Sequence, residues 1–294
     1  MNAAMATKWM SVLLASLLLA ATSGTWAQTS AQKSYVGFDR NEYPGDANLT
    51  ALRKNFRFSS YWLNNPPGAK HNTWAGKRAL LEKNDFGFLV LFNGRLYEDL
   101  KGKDAAALGT EDGKAAVAAA IHEGFARDTL IFLDQEQGGR MLPEQSAYLF
   151  AWADAIRVGG ARAGIYCSGI DVPDGPSTIN TARDILQKER ARAAADTDAK
   201  ATPRLKLWIA NDQCPPAPGC TLHHPSMSAI FPAELSASAL VWQYAQSPRR
   251  KQFTGGCPKN YAADNRCYAP GMAQGPDSFV DLNVSSSADP SSAP

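Results

Sequence analysis

Apolar and polar positions alternate in a repeating way from residue 34 onward. Short runs rich in β-branched and aromatic residues recur, and each is followed by a helical pattern or a turn-rich connection. "SYVGFDR" comes first, and "LTALRKNF" behind it has helical spacing. "FRFSSYWLN" is second, followed by a Pro/Gly turn and "TWAGKRALLEKND". "FGFLVLFNGR" is third, with the Ala-rich "AAVAAAIHEGF" after it. "DTLIFLDQE" is fourth and leads into "PEQSAYLFAWADAIRVGG", where Pro143 suits a first helical turn and Gly159 or Gly160 a stop. "ARAGIYCSG" is fifth, followed by "STINTARDILQKERARAAAD", a polar helix opened by Ser177 or Thr178. "RLKLWIAND", "ALVWQYAQ" and "SFVDLNV" complete a set of eight, with irregular connections after the sixth and seventh.

Strand–helix alternation predicts a parallel sheet with helices outside. Eight strands in roughly 250 residues is the size of a (β/α)8 TIM-type barrel, here irregular in its last strands. An open doubly wound sheet is the alternative. It usually carries a glycine-rich phosphate loop after its first strand, and "GFDRNEYPGD" lacks that spacing. The barrel is expected over residues 34–284. The polar, apolar-poor end, residues 285–294, is expected to be a disordered tail.

The first 27 residues read differently. Lys8 precedes the apolar run "VLLASLLLAA", and "TWA" ends at Ala27. That order predicts a signal peptide cleaved after Ala27, and so a secreted or periplasmic protein. The apolar run is shorter than the ~20 residues a spanning helix needs, so no stable membrane insertion is expected after cleavage.

Export changes how the five cysteines are read. Cys214 and Cys220 bracket "PPAPG", and Cys257 and Cys267 bracket "PKNYAADNR"; each pair closes a short loop, as a disulfide would. Zinc held with His223 and His224 is the competing reading, disfavoured because adjacent residues on extended chain point opposite ways. Cys167 sits inside a β-prone run and reads as a buried thiol. A net charge of +2 gives no electrostatic footprint for nucleic acid.

The candidate chemistry lies where strands end. Side chains alternate along a strand, so Phe132, Asp134 and Glu136 share one face, and Gly138 and Gly139 put both acids at the strand's C-terminal end. Barrel active sites are built there. Asp39 ends the first run, Asp212 the sixth and Asp281 the eighth. Acids crowded on one mouth repel, and at least one pKa should rise, as a general acid near neutrality requires. The calcium-loop pattern of alternating acids around a glycine is missing, and no "GxSxG" occurs, so neither metal nor cofactor nor serine nucleophile is expected. Paired carboxylates beside aromatic rings point to glycoside hydrolysis. Tyr61, Trp62, Tyr166, Trp208, Trp242 and Tyr244 lie near strand ends as candidate sugar contacts, although such residues also fill cores.

The same residues resemble a family. "GFDRNEYPG" is similar to the opening "GxDVSxxQG" of the glycoside hydrolase family 25 lysozymes, and "IFLDQE" to their "DxE" strand. "GIYCSG" and "LWIA" resemble their fifth and sixth strands, and "VWQYA" with "VDLN" their closing pair. "YWLNN" and the Ala-rich helix look closer to the related bacterial glycoside-hydrolase-like domains, typified by a mycobacterial secreted protein. The similarity runs from about Tyr35 to Asn283. It implies a barrel and cleavage of a β-1,4 bond in peptidoglycan, a cell-wall glycan. By position, Glu136 matches the general acid, Asp134 its partner, and Asp39 and Asp281 the outer acids of the cleft. The chain departs from the lysozyme pattern where "DVS" becomes "DRN" and where Asn211 and Asp212 replace an aromatic. A glycan-binding protein without catalysis is the alternative that those departures favour.

Overall fold

The computed structural model describes residues 33–195, 204–211, 233–245 and 280–292. The expected signal peptide, Asp212, the four paired cysteines and the two adjacent histidines lie outside them. Among the described residues, no helix is long and apolar enough to cross a membrane.

Eight strands close into a barrel. They are β1 (Tyr35–Asp39), β2 (Phe58–Trp62), β3 (Gly87–Asn93), β4 (Leu130–Gln135), β5 (Arg162–Ser168), β8 (Lys206–Ala210), β9 (Ala239–Ala245) and β10 (Asp281–Ser285). These are the eight runs of the sequence, in the order β1-β10-β9-β8-β5-β4-β3-β2. From β1 through β5, β8 and β9 neighbouring strands run parallel. The last strand departs from the parallel expectation, because β10 is antiparallel to both β9 and β1. Asp281 therefore begins its strand instead of ending it. Reversal brings it to the same rim as Asp39, its direct register partner.

The "STIN" stretch is also corrected. Ser177–Ile179 forms β7, which pairs with β6 (Val172–Asp174) as a hairpin outside the barrel. The following helix α6 spans Thr181–Ala195. Asn180, not Ser177 or Thr178, opens it by accepting the Arg183 N–H at 2.8 Å.

Glycines decide how the interior is filled. A Cβ at Gly37 would lie 2.1 Å from the ring of Phe58, and one at Gly164 2.6 Å from the ring of Phe132. The two rings occupy the barrel's middle because the adjacent strands present no side chain there. Trp208 closes the same layer, its ring centroid 5.9 Å from that of Phe132 and 4.8 Å from that of Tyr166. Asp134 lies two residues beyond Phe132, Asp39 two beyond Gly37 and Tyr166 two beyond Gly164, so all three point the same way as this layer.

Four short helices complete the outer layer with the long ones: α1 (Leu49–Arg53), α2 (Arg78–Lys83), α3 (Tyr97–Leu100) and α7 (Ala233–Ser236). The two longest helices, α4 (Ala105–His122) and α5 (Pro143–Val158), pack against each other. Pro143 stands at the start of α5 and Gly159 at its end, as their chemistry predicts. The buried face of α4 is a stripe of small residues: Ala105, Gly109, Gly113, Ala116 and Ala120. A Cβ at Gly109 would come 2.2 Å from the carbonyl oxygen of Tyr148, so glycine is needed for this approach. Arg95 grips Asp112 of α4 with two hydrogen bonds of 2.6 and 2.8 Å, and the Tyr148 hydroxyl donates to the same carboxylate at 2.7 Å.

Residues 285–292, within the stretch whose composition predicts a disordered tail, are ordered instead. Ser285 belongs to β10, and residues 286–292 run under the barrel floor. Ser291 is 2% exposed and bridges two strands: its N–H donates to Phe88 O at 2.9 Å, and its carbonyl accepts the Leu130 N–H at 2.8 Å. Its hydroxyl accepts from Val90 N–H, and Asp289 accepts from Phe88 N–H, both at 2.9 Å. Polar residues suit this place because buried strand N–H groups need acceptors.

Two outcomes follow. Gly109→Ala gains helix propensity but meets main chain, so denaturant unfolding should show a net loss of about 1–3 kcal/mol. Truncation after Ser286 strips acceptors from β3 and β4 and should lower the midpoint of thermal unfolding, whereas a truly disordered tail would leave it unchanged.

Candidate active site

The loop that follows β4 is held from several sides. Gln137 accepts the Tyr97 N–H at 2.8 Å and the Gln145 side-chain amide at 2.6 Å. Arg140 pairs with Asp174 of the hairpin and with Asp184 of α6, the latter at 3.2 Å. Asp184, 1% exposed, also accepts the Met141 N–H at 2.9 Å and pairs with Lys188. Glu136 thus stands on a short segment braced at both ends.

At the mouth, Asp134 sits level with Asn93 on one side and Tyr166 on the other. It is 5% exposed, and its Oδ1 has no hydrogen-bond partner. Glu136 follows β4 directly and has an exposed side chain on the rim, but its carboxyl group hydrogen-bonds that of Asp134. Asp39 is differently supplied. The side-chain amides of Asn283 and Gln243 donate to its Oδ1 at 2.6 and 3.0 Å. Those amides are themselves oriented: Trp208 Nε1–H donates to Asn283 Oδ1 at 2.8 Å, and the Tyr166 hydroxyl to Gln243 Oε1 at 3.0 Å.

Electrostatics bind the acids into one group. Burial above all, with the charges of Glu136 and Asp39, drives the Asp134 carboxyl well above its usual range. Although Glu136 reaches solvent at the rim, partial loss of water around its carboxyl lifts it too, while the hydrogen bond from Asp134 pulls it back. Asp39 is raised to about 6 by burial, against the stabilising amides of Asn283 and Gln243. The Tyr166 phenol is pushed well above its ordinary value by burial and then by Asp39, Asp134, Glu136 and Asp281 together. One phenol feels all four acids, so they lie together about it at the mouth. Protons are held here that isolated carboxylates would lose.

Of the aromatic candidates, Tyr166 has the inward parity at the mouth, and Trp208, 1% exposed, lies in the floor beneath it. Tyr61, Trp242 and Tyr244 have neither place. Tyr61 packs among Trp74, Phe88 and Phe125 and donates its hydroxyl to Glu123 at the end of α4. Trp242 and Tyr244 are fully buried and flank Gln243, which alternation turns inward and them outward. Trp62 has the inward parity, and its Nε1–H donates to Arg40 O at 3.0 Å. Gln243 and Asn283 were not among the candidates. Their signal was parity: Asn283 is two residues from Asp281, and Gln243 is a lone polar residue between two aromatics. Cys167 is a buried free thiol, as expected. Among the described residues, no group of three or more His, Cys, Asp and Glu side chains is arranged to hold a metal ion.

Raised carboxyl pKa values carry a definite sign for stability. The folded protein binds these protons more tightly than the unfolded chain, so the acids favour folding most below about pH 4. That contribution is lost as pH rises through about 6 for Asp39, and likewise as pH rises through the raised folded-state range of Asp134. Asp134→Asn should therefore stabilise the protein by about 0.5–2 kcal/mol at pH 7. The gain should shrink toward pH 4 in urea titrations; a constant difference would contradict the assignment.

Comparison with known proteins agrees with this architecture. The model of the Rv2525c-like, glycoside hydrolase-like domain matches residues 67–213, half of the 294-residue chain. Among solved structures, an uncharacterized B. stearothermophilus protein is similar with a TM-score of 0.53 and 17% identity, over 85% of this chain and 95% of that one. The Tat-secreted protein Rv2525c of Mycobacterium tuberculosis, solved with L-tartrate, has a TM-score of 0.45 and 14% identity over 85% and 94%. A family 25 glycosyl hydrolase from Bacillus anthracis has 0.42 and 14% over 85% and 88%. None of the curated proteins matches. With the barrel, the acid-lined mouth and the matched half of its length, the chain belongs to the Rv2525c-like, glycoside hydrolase-like domain family.

Proposed function

We propose that this protein is an exported glycoside hydrolase that cleaves peptidoglycan or a related N-acetylated glycan. The observation that supports the reading is the gathering of Asp39, Asp134, Glu136 and Asp281 about Tyr166 at one rim, with the ionisation of Asp39, Asp134 and Glu136 suppressed. Glycosidic cleavage needs a carboxylic acid that keeps its proton near neutrality and a carboxylate that supports positive charge at the sugar carbon. In this mouth Asp134 and Glu136 act as one acid sharing a proton. Glu136, on the rim, passes that proton to the leaving oxygen and is reprotonated from Asp134. The bond from the anomeric carbon to that oxygen breaks, and Asp39 and Asp281 face the charge that develops. Water then adds to the carbon, and its proton returns to the pair. Tyr166 is the aromatic residue best placed to meet a sugar. Export rests on the signal-peptide pattern of residues 1–27.

A second reading, a wall-glycan binder without turnover, is favoured by the withdrawal of Tyr61, Trp242 and Tyr244 into the packing. Purified protein, Glu136→Gln and Asp134→Asn, incubated with bacterial cell walls, separate the two. The hydrolase releases reducing ends, and Glu136→Gln loses about 10²- to 10⁴-fold of that rate. Equal release by all three, or wall retention with no release by any, contradicts hydrolysis of this substrate.

A further inference from the structure

The four acids are not equivalently furnished with donors, and that asymmetry has a consequence for the mouth. Asp39 receives two amide N–H groups on Oδ1. Asp134 is more deeply buried and has an Oδ1 that receives none. An amide can donate or accept depending on how it is turned. Here the choice is forced from behind, since an indole N–H can only donate. Trp208 therefore requires an oxygen from Asn283, which leaves the Asn283 NH₂ group for Asp39. The Tyr166 hydroxyl donates to Gln243 and turns its NH₂ group to the same carboxylate. Asn283 and Gln243 are 0% and 1% exposed, so water does not compete for these bonds.

We propose that Gln243 and Asn283 are positioning residues that clamp Asp39 as the anion of the acid cluster, leaving the retained proton to Asp134. The clamp is held in its donating sense by Tyr166 and Trp208. Both amides converge on Oδ1, and no donor among the described residues reaches Oδ2, which stays available to a hydroxyl or positive charge of a bound sugar. The charged and titratable groups that bear on Asp39 are Asp134 and Glu136 from β4 and its loop, Asp281 from β10 and Tyr166 from β5. The neighbouring strands contribute the uncharged Ser60, Asn93 and Trp208. Of these, the charge of Glu136 opposes a negative charge on Asp39, and the two amides favour it.

The use of this anion in catalysis rests on the glycan-cleaving reading, but its test needs no substrate. Carboxyl ¹³C resonances of the full protein, assigned with Asp39→Asn and Asp134→Asn, are followed against pH in wild type, Gln243→Met, Asn283→Leu and Tyr166→Phe. In wild type Asp39 loses its proton before Asp134. Its midpoint rises by about one unit or more in Gln243→Met and Asn283→Leu, and by less in Tyr166→Phe, which only frees the amide to turn. A wild-type Asp39 that titrates after Asp134 overturns the proposal, as does a midpoint unmoved in every folded variant. Should Asn283→Leu not fold, the wild-type order and the other two variants still decide. A confirmed clamp with no wall turnover would instead count against the hydrolase reading alone.

Discussion

The site depends on the impossibility of relaxing downward. Phe58, Phe132 and Trp208 fill the barrel directly beneath the acids, and Gly37 and Gly164 make that filling possible by offering no side chain. The carboxylates find no hydrated interior to retreat into and are held above an apolar floor, at a level fixed by strand pairing. Asp39 faces Asp281, and Asp134 lies beside Asn93 and Tyr166. Concentrating four acids on such a floor is unfavourable for charge, and protonation is the cheapest relief. The same constraint creates the suppressed ionisation on which acid catalysis would draw.

The outer layer serves the mouth by bracing it. The β4 loop is tied to α5 through Gln137 and Gln145, and to α6 and the hairpin through Arg140 and Asp184. The close approach of α4 and α5 at Gly109 and Gly113 leaves little freedom for the helix that follows this loop. At the opposite end, Ser291 and Asp289 supply acceptors to β3 and β4, so the strands that carry Asn93 and Asp134 are fixed at both ends.

Much of this was legible in the sequence, for identifiable reasons. Each barrel strand is a compact apolar run; Asp39 marks where the first meets the mouth, and Asp134 with Glu136 where the fourth does. Glu136 stands two positions beyond Asp134, and that parity alone put them on one face. The direction of β10 was not legible, because "VDLNV" reads the same as a strand whichever way it runs; only closure against β1 and β9 sets it. Aromatic roles were misjudged where nearness to a strand end was used without parity. Tyr61 and the Trp242–Tyr244 pair stand near the mouth in sequence yet turn to the outer packing. The last residues misled for another reason: a serine-rich stretch resembles disorder until the sheet's unpaired N–H groups are known to need it.

The central claim is that Asp39, Asp134, Glu136 and Asp281 enclose one sugar-sized hollow above the aromatic floor. A crystal structure of the Glu136→Gln protein soaked with a peptidoglycan-derived oligosaccharide tests it most directly. The account predicts a glycosidic oxygen within hydrogen-bond reach of residue 136, with the adjoining sugar ring between Asp134 and Asp39 and against Tyr166. An oligosaccharide bound on another face of the barrel, with the mouth filled only by solvent, would contradict it.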